Sequence, residues 1–485
     1  MSPAARWPAS RGLWLALALG IAALFRGWGL GSSSLWLDEI GQASAAQAPW
    51  SQLPAKVSQH LSPPLDYAVS KLALAWGHGD ALLRLPALFF SLLALPLFFA
   101  LAARCLSGAG AAWSLWLLAL SPLALQYARE ARMYSLFLTL SLASWLLSLR
   151  FREKPSAARA LAWGLAGGLA LLTHYFAVFA LLAQALAAAW ALRRTPNAWK
   201  KLGLALGLMA LCAVAWAPWA LQQWRSSGGA MAYGLQPDLS FFKQALSAFS
   251  SASGFRDAWF YAFGIFAAIG LVLAWRGREA ALLESALNLI LSLLTLWLLS
   301  FFKPLVTVRN MIYLLPFYLL LVGRSLACLQ NWLKLPSWVL GLGLVLAMAP
   351  ALQARRLERQ SYQPDWRGAA KAIQALDAAG TQTVWVGDAH SRGCLAWYLT
   401  PEADTVFMHA RSLDAANLPG DRIKVFGPFE GAGKGLVGLG LKVATPLGVS
   451  RPLSWPDPRQ ALWRETGPDA TPRLELFDLA GTTTR

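Results

Sequence analysis

Charged side chains are scarce in this sequence, and acidic ones are the scarcest. Charged residues make up 14% of the chain, whereas a soluble domain usually carries about a quarter. Residues 1–352 contain ten Asp and Glu beside 26 Lys and Arg, and residues 353–485 contain 14 beside 16. Over residues 1–352 the chain therefore lacks the composition of a soluble globular protein.

Cysteine pairs and phosphate loops are missing as well. The four cysteines (105, 212, 328 and 394) show neither paired spacing nor a zinc pattern, which argues against a disulfide framework. The segment "GPFEGAGKGL" only resembles a phosphate loop. Gly427 and Gly433 are one residue too far apart, and Gly435 stands where Ser or Thr is required. We therefore expect no P-loop nucleotide site.

What the chain does contain is a series of apolar runs. A helix needs roughly 17–25 apolar residues to cross a bilayer, and the runs predict about eleven such spans. Their approximate positions are 12–30, 81–102, 110–126, 134–150, 160–173, 175–192, 202–221, 258–275, 280–300, 310–323 and 336–352. The predicted fold class is a polytopic α-helical membrane bundle.

Basic residues mark one side of this bundle. If the N-terminus lies in the cytoplasm, every loop that is predicted to be cytoplasmic carries Lys or Arg. This is the positive-inside pattern. The net charge of +18 is thus explained without a nucleic-acid partner. The first run has no cleavage site after it, so we interpret it as a retained anchor. Basic clusters flank residues 160–192 on both sides, which predicts two short helices meeting near His174.

An odd number of spans places residues 353–485 outside, where the composition becomes ordinary. The segments "TVWVGD" and "RIKVFG" are typical of strands, and "DWRGAAKAIQALDAAG" is typical of a helix closed by Gly380. We therefore expect a membrane domain over residues 1–352 and a small outer α/β domain over residues 353–485.

An acidic pair follows the first apolar run. Asp38 and Glu39 stand side by side in "SLWLDEIGQAS" on the predicted outer face. Ionisable groups at membrane depth are costly and tend to mark function, and a carboxylate there suits a general base or a metal ligand. The alternative is a pair of solvated loop acids.

The next outer segment, "HLSPPLDYAVSKLALAW" at 60–76, has apolar residues at helical spacing after two prolines. This pattern predicts an amphipathic helix that lies in the membrane interface. His60, Asp66 and Tyr67 are its candidates for substrate contact. An ordinary loop helix covering the bundle is an equally good interpretation.

The segment "QYAREARMYSL" at 126–136 is the most informative. Arg129 and Arg132 are three residues apart, so on a helix they would share a face. They fall on the outer side, where the positive-inside rule predicts few basic residues. Paired guanidiniums suit recognition of a phosphate, with Glu130 and Tyr134 as further substrate contacts. An ion pair with Glu130 would account for one arginine only.

Two later outer segments add candidates. "THYF" places His174 and Tyr175 at the tip of the short hairpin, although a lone histidine is more often structural than functional. "FFKPLVTVRNMIYLLP" places Lys303 and Arg309 outside, as cations beside which a leaving phosphate could lie.

Taken together, "SLWLDE", the Pro-Pro helix, "YAREARMYSL", "THY" and "KPLVTVRNMIYLLP" resemble one family over about residues 1–325. This is the bacterial group of polytopic GT-C class glycosyltransferases related to protein O-mannosyltransferases and to the aminoarabinose transferase acting on lipid A. Within residues 353–485, only "QPDWRGAAKAI" is similar to family members. The resemblance implies the bacterial plasma (inner) membrane, with a cytoplasmic N-terminus and a periplasmic C-terminal domain.

The resemblance also implies an activity and roles. A hexose or pentose would pass from a polyprenyl-phosphate donor to a protein, lipid or glycan acceptor at the outer face of the membrane. Asp38 would be the base that deprotonates the acceptor, with Glu39 as its neighbour. The implied phosphate-binding residues are Arg129, Arg132, Arg309 and Lys303. Family members usually carry His directly before Pro-Pro, whereas Ser62 stands there in this chain, which weakens the case for His60.

Elementary chemistry agrees with a site that has one carboxylate base and several cations. A sugar–phosphate bond breaks through an oxocarbenium-like state, and the leaving phosphate needs cations rather than a strong acid. A single displacement would invert the anomeric centre. A divalent metal ion as cofactor is left open. Its candidate ligands are Asp38, Glu39, His60 and His174, and their spacing in the sequence matches no recognisable metal site.

Two rival functions are less well supported. A transporter or lipid-carrier flippase would be expected to show internal repeats and ionisable groups near mid-membrane, and the sequence shows no convincing repeat. A non-catalytic membrane scaffold would leave the outer arginines unexplained.

Overall fold

The structure is a computed structural model of the whole chain, and it describes the following residues. They are 9–226, 234–250, 256–304, 306–334, 336, 341–343, 346, 348–349, 366–368, 370–371, 394, 397–399 and the four strands given below. Nearly all of the first 334 residues are thus covered, and the C-terminal part is covered in short pieces.

Helices dominate the described part of the chain. In order they are α1 (Ala9–Gly27), α2 (Leu37–Gln47), α3 (Leu53–Val57), α4 (Leu65–Leu74), α5 (Asp80–Cys105), α6 (Gly108–Ala119), α7 (Pro122–Ala128), α8 (Tyr134–Glu153), α9 (Ala157–Leu171), α10 (Ala177–Leu192), α11 (Pro196–Ser226), α12 (Ser240–Ser250), α13 (Arg256–Arg276), α14 (Ala280–Phe302) and α15 (Leu315–Leu333). A 3-10 helix, Val308–Leu314, precedes α15.

The predicted spans up to residue 323 all coincide with helices, while the one at 336–352 lies mostly outside the described residues. Among the described residues, six helices are long and apolar enough to cross a membrane, or seven if the bent pair α6–α7 counts as one span. Helices α9 and α10 are shorter, as expected for a hairpin. The chain is a multi-pass membrane protein, and its described helix lengths do not confirm the count of eleven spans.

The bend between α6 and α7 follows from the local sequence. Pro122 has no N–H to donate and cannot continue α6, so a new helix begins there. Ser121 caps that helix by accepting a hydrogen bond from the Ala124 N–H at 3.3 Å. The helices meet at 51°. The buried Arg26 guanidinium donates hydrogen bonds to two carbonyls at the bend, those of Leu118 (2.8 Å) and Ala119 (3.1 Å).

Close helix packing explains the glycines of α9. A Cβ atom on Gly164 would lie 2.8 Å from the Ala205 carbonyl oxygen of α11, and one on Gly168 would lie 2.6 Å from Cys212 Sγ. Only glycine therefore lets α9 and α11 approach this closely.

Three ion pairs join helix ends on the predicted cytoplasmic side. They link Arg104 to Glu153, Arg152 to Glu284 and Arg324 to Glu279. They use three of the ten acidic residues in the first 352, and they are partly exposed, so each contributes little stability.

Contacts divide the chain into two compact units. The first comprises Met1–Leu30 and Ala45–Arg355, and the second comprises Gly31–Ser44 and Arg356–Arg485. Residues 31–44 fall within the predicted membrane domain of residues 1–352, and their contacts group them with the C-terminal residues.

The second unit contains a four-stranded sheet of β1 (Thr383–Val386), β2 (Val406–His409), β3 (Ile423–Gly427) and β4 (Glu475–Asp478). Its strand order is β2-β1-β3-β4, with β1 parallel to both neighbours and β3 antiparallel to β4. Both predicted strands are present. Of the predicted helix at 365–380, residues 366–368 and 370–371 are helical, and the rest, including Gly380, lies outside the described residues.

Candidate functional site

The first unit contains a cavity of about 600 Å³, within the size range typical of ligand sites. Five chain segments surround it: the loop before α4, the start of α8, the α9–α10 turn, the end of α11 and the connection from α14 to the 3-10 helix. Its lining residues are Leu61, Ser62, Arg132, Met133, Tyr134, Leu171, His174, Tyr175, Phe176, Val178, Phe179, Ala220, Gln223, Trp224, Leu299, Lys303, Thr307, Arg309 and Asn310.

Three of the four predicted phosphate-binding cations meet at this cavity. They are Arg132, Lys303 and Arg309, and none of the described lining residues is acidic. The Arg309 guanidinium lies 5.9 Å from the centre of the Tyr134 ring. The Lys303 ammonium lies 3.7 Å from the centre of the Trp224 ring and donates a hydrogen bond to the Trp224 carbonyl. The lining residues thus supply positive charge beside aromatic surface.

Arg129 does not line this cavity. Its guanidinium donates hydrogen bonds to the carbonyls of Arg26 (3.0 Å) in the last turn of α1 and of Trp28 (2.6 Å) and Gly29 (2.8 Å) just after it. Gly29 has a φ of +62°, a left-handed conformation suited to glycine. Arg129 therefore stabilises the turn after α1, and its phosphate role stays a prediction that these contacts do not support.

The prediction that Arg129 and Arg132 share one face of a helix is wrong. Helix α7 ends at Ala128 and α8 begins at Tyr134, so residues 129–133 form a turn between them. Spacing of three residues on a helix would have aligned both guanidiniums. In the turn they separate, and only Arg132 reaches the cavity.

His174 is a buried, neutral histidine. Its Nδ1 accepts a hydrogen bond from the Phe176 N–H at 3.1 Å, so the proton resides on Nε2, and the side chain also hydrogen-bonds Asn310. The ring stacks on Phe137 with centroids 4.6 Å apart. Burial, together with the charges of Arg132 and Arg309, lowers the pKa of His174 to about 3 despite the hydrogen bond to Asn310.

This burial predicts acid sensitivity. Unfolded histidine titrates near pH 6.5, while His174 stays neutral in the folded protein down to a pKa of about 3. Between these values the unfolded state binds the extra proton, so stability falls as the pH falls. From pH 7 to pH 5, the wild type should lose about 2 kcal/mol more than His174→Asn, measured by unfolding in detergent. Equal losses in both proteins would contradict a buried neutral His174.

A hydrogen-bond network around Gln223 forms one wall of the cavity. The Gln223 amide N–H groups donate to the carbonyls of Val57 (2.9 Å) and Ser62 (3.0 Å), and its oxygen accepts from the Tyr175 hydroxyl. Trp216 Nε1 donates to the same hydroxyl at 2.9 Å. Burial raises the pKa of Tyr175 to about 12, which keeps the hydroxyl protonated. The network joins the loop before α4 to α11 and to the α9–α10 turn.

Replacing Gln223 tests that network. Gln223→Leu leaves the carbonyls of Val57 and Ser62 without their donor, and an unsatisfied buried group costs about 1–3 kcal/mol. We expect a lower melting temperature, measured in detergent, than for the exposed neighbour variant Gln222→Leu. Equal melting temperatures for the two variants would show that the loop is held by other contacts.

Residues of the predicted interfacial helix lie behind the lining residues. Tyr67 of α4 is fully buried and contacts His60, with ring centroids 5.5 Å apart. Burial raises the pKa of Tyr67, while the nearby charge of Arg132 acts in the opposite direction. Tyr67 thus lies near the cavity residue Arg132 without being part of the described lining.

Asp66 and Glu130 are likewise buried and do not line the cavity. Asp66 follows the Pro-Pro pair in the first turn of α4, and Glu130 belongs to the turn that carries Arg132. Their roles as substrate contacts, like that of His60, stay predictions.

The acidic pair lies in a helix rather than in a loop. Asp38 and Glu39 occupy the first turn of α2, where the helix dipole favours negative charge. Glu39 is fully buried and accepts a hydrogen bond from the Trp36 N–H at 3.2 Å, whereas Asp38 is partly exposed. The interpretation as two solvated loop acids therefore does not hold for Glu39.

The start of α2 is anchored within the second unit. The Tyr398 hydroxyl accepts from the Leu35 N–H at 2.6 Å. The Arg367 N–H donates to Ser34 Oγ at 3.1 Å, and its guanidinium donates to the Gly31 carbonyl at 2.9 Å. Arg367 belongs to the "QPDWRG" string, whose role the sequence left open.

The candidate metal ligands do not form a site together. Among the described residues, no three His, Cys, Asp or Glu side chains lie close enough to hold a metal ion. His174 Nδ1 already accepts a hydrogen bond from the Phe176 N–H. A divalent metal ion as cofactor stays a prediction.

Several cavity residues were missed by the sequence reasoning. Gln223, Asn310 and Thr307 are neutral, and such residues carry little signal unless their partners are known. A polar "QQ" pair near the end of the apolar α11 was the available hint for Gln223, because amides in apolar helices usually need hydrogen-bond partners.

Comparisons with known proteins confirm the resemblance to the GT-C glycosyltransferases. Residues 62–220 match the family model of dolichyl-phosphate-mannose-protein mannosyltransferases. That range begins at Ser62 and ends at Ala220, both of which line the cavity. No curated protein sequence matches the chain at a significant level.

Solved structures show the same fold. ArnT from Cupriavidus metallidurans in the apo state matches with a TM-score of 0.61 and 15% identity, covering 97% of this chain and 98% of that one. The same protein bound to undecaprenyl phosphate matches with a TM-score of 0.59 and 15% identity, covering 98% and 99%. The chain therefore has the fold of this transferase over nearly its whole length.

Proposed function

We propose that this protein is a membrane glycosyltransferase that takes a sugar from a polyprenyl-phosphate donor. The observation that carries the proposal is the cavity at which Arg132, Lys303 and Arg309 meet. In support, the chain shares the fold of ArnT, which has been solved bound to undecaprenyl phosphate, and part of it matches a family named for a lipid-phosphate sugar donor.

The cavity has the two chemical characters that such a donor requires. Its polar part, with Arg132, Arg309 and Asn310, suits a phosphate and a sugar. Its apolar part includes Val178 of α10 and Leu299 of α14. Val178 is exposed, as is Phe302 at the end of α14. In this proposal the prenyl chain leaves the cavity past Val178 and extends into the lipid.

The proposed reaction is a single displacement. Cations stabilise the negative charge that develops on the leaving phosphate, and we assign that task to the cavity residues Arg132 and Arg309. Asp38 acts as the base that removes the proton from the acceptor hydroxyl or amine, with Glu39 beside it. The acceptor attacks from the face opposite the phosphate, so the anomeric centre is inverted. No step is assigned to a metal ion.

A panel assay tests the proposed activity. The purified full-length protein is incubated with polyprenyl-phosphate sugars, including hexose and pentose forms, together with cell-envelope lipid, glycan and protein acceptors. We expect release of free polyprenyl phosphate from one donor in the presence of one acceptor class. Turnover of polyprenyl-diphosphate sugars in preference to monophosphate sugars would contradict the proposal.

The reaction is proposed to occur at the outer face of the bacterial inner membrane. The positive-inside pattern predicts a cytoplasmic N-terminus, and an odd number of spans then predicts that residues 353–485 lie in the periplasm. A C-terminal tag should therefore be digested by protease in intact spheroplasts. A tag that is digested only after the membrane is opened would reverse this orientation.

A further inference from the structure

Two cations and two polar groups of the cavity come from residues 303–310. Residues 303–307 connect α14 to the 3-10 helix and supply Lys303 and Thr307, and the first turn of the 3-10 helix supplies Arg309 and Asn310 to the lining. Lys303 and Pro304 are not helical. The backbone of this connection therefore needs support if its side chains are to keep fixed positions around a ligand.

That support comes from a pair of residues distant in sequence. The Leu235 N–H donates a hydrogen bond to the Val306 carbonyl at 2.7 Å. Both side chains are buried in the main apolar core. The bond joins the segment before α12 to the connection that carries Lys303 and leads directly into the turn with Arg309.

Gly234 makes this approach possible. A Cβ atom on Gly234 would lie 1.5 Å from the Pro304 carbonyl oxygen and 2.3 Å from its carbon. The obstructing atoms are backbone, so no side-chain rotation can relieve the clash. Any larger residue at position 234 must displace the connection or its own segment.

The segment with Gly234 leads into α12, which is held by contacts with neighbouring helices. Asp238 Oδ1 accepts from the Ser240 N–H at 2.7 Å at the start of α12. The buried end of α12 contacts α15, where Ser250 Oγ and the Tyr318 hydroxyl are 3.1 Å apart. The beginning of α12 contacts α14 through Phe242 and Trp297, with ring centroids 5.6 Å apart. Displacement is thus resisted on the α12 side.

We propose that Gly234 and Leu235 form a backbone clamp that positions Lys303 and Arg309 for the phosphate of the lipid donor. This inference rests on the proposed function, since it assigns the clamp to donor binding. Gly234 acts through the connection and is a positioning residue. The clamp contributes to preference for a phosphate headgroup and leaves recognition of the prenyl chain unchanged.

The matched test is Gly234→Ala against Gly203→Ala, because a Cβ on Gly203 meets nothing within 4 Å. Binding of a short-chain polyprenyl phosphate is compared with binding of the corresponding prenol for wild type and both variants. We expect Gly234→Ala to reduce the phosphate-over-prenol preference by about tenfold or more, the effect of one charge-assisted hydrogen bond. Prenol affinity and the Gly203→Ala preference should stay at wild-type values.

Amide exchange in the wild-type protein gives a second readout that does not depend on the variant folding. Because coupling between sites is reciprocal, polyprenyl phosphate should slow exchange of the Leu235 amide, and prenol should not. An unchanged preference in Gly234→Ala, or equal effects of phosphate and prenol on the Leu235 amide, would overturn the clamp. A wild type that does not prefer the phosphate over the prenol would overturn the proposed function itself.

Discussion

Asp38→Asn is expected to reduce sugar transfer by about 10²–10⁴-fold, the usual contribution of general base catalysis. The amide keeps the size of the side chain and a polar group in the first turn of α2, but it cannot accept the acceptor proton. The loss should therefore appear mainly in kcat, with donor binding unchanged. Initial rates with a saturating lipid donor provide the measurement.

The control for this change is Asp238→Asn, which also replaces a carboxylate by an amide. Asp238 precedes α12 and accepts a hydrogen bond from the Ser240 N–H, a bond that asparagine can also accept. Wild-type turnover is expected for this variant. Wild-type turnover by Asp38→Asn would remove the assignment of the base, and an equal loss in Glu39→Gln alone would transfer that role to its neighbour.

Arg132→Ala is expected to weaken binding of polyprenyl phosphate by about 10- to 150-fold, because hydrogen bonds to charged groups contribute about 1.5–3 kcal/mol. Arg132 is buried at the cavity wall, where solvent screens its charge less than at a surface. Arg132→Lys should recover part of the affinity, since it restores charge without the planar guanidinium. Titration of purified protein with the lipid measures both effects.

Arg129→Ala is the informative counterpart, because the two arginines are only three residues apart. Its guanidinium bonds the carbonyls of Arg26, Trp28 and Gly29, so its loss should lower the free energy of unfolding by about 1–3 kcal/mol or more. Donor affinity of the folded fraction should change little. Loss of lipid affinity in Arg129→Ala with intact stability would reverse the two assignments.

Much of the membrane architecture could be read from the sequence because its signals are local. Apolar length and basic loop residues locate helices without knowledge of their neighbours. The hairpin of α9 and α10 was inferred from basic clusters on both sides, and the structure places its turn at His174. The outer cations were found because Lys303, Arg132 and Arg309 break the positive-inside pattern.

What could not be predicted depends on distant contacts. Arg129 and Arg132 have the same residue type and the same sequence context. Only the position of the chain after α1 determines that Arg129 binds backbone carbonyls while Arg132 lines the cavity. The bonds of Gln223 to Val57 and Ser62 join segments more than 160 residues apart. The grouping of residues 31–44 with the C-terminal unit likewise rests on Arg367 and Tyr398, whose contacts leave no periodic pattern.

A structure of the protein determined with polyprenyl phosphate tests the central claim most directly. We predict phosphate density in the cavity, with a phosphate oxygen about 2.7–2.9 Å from a guanidinium nitrogen of Arg132 or Arg309. The prenyl chain should leave past Val178 and Leu299. A phosphate bound instead at the basic loops of the predicted cytoplasmic side, with this cavity unchanged, would contradict the account.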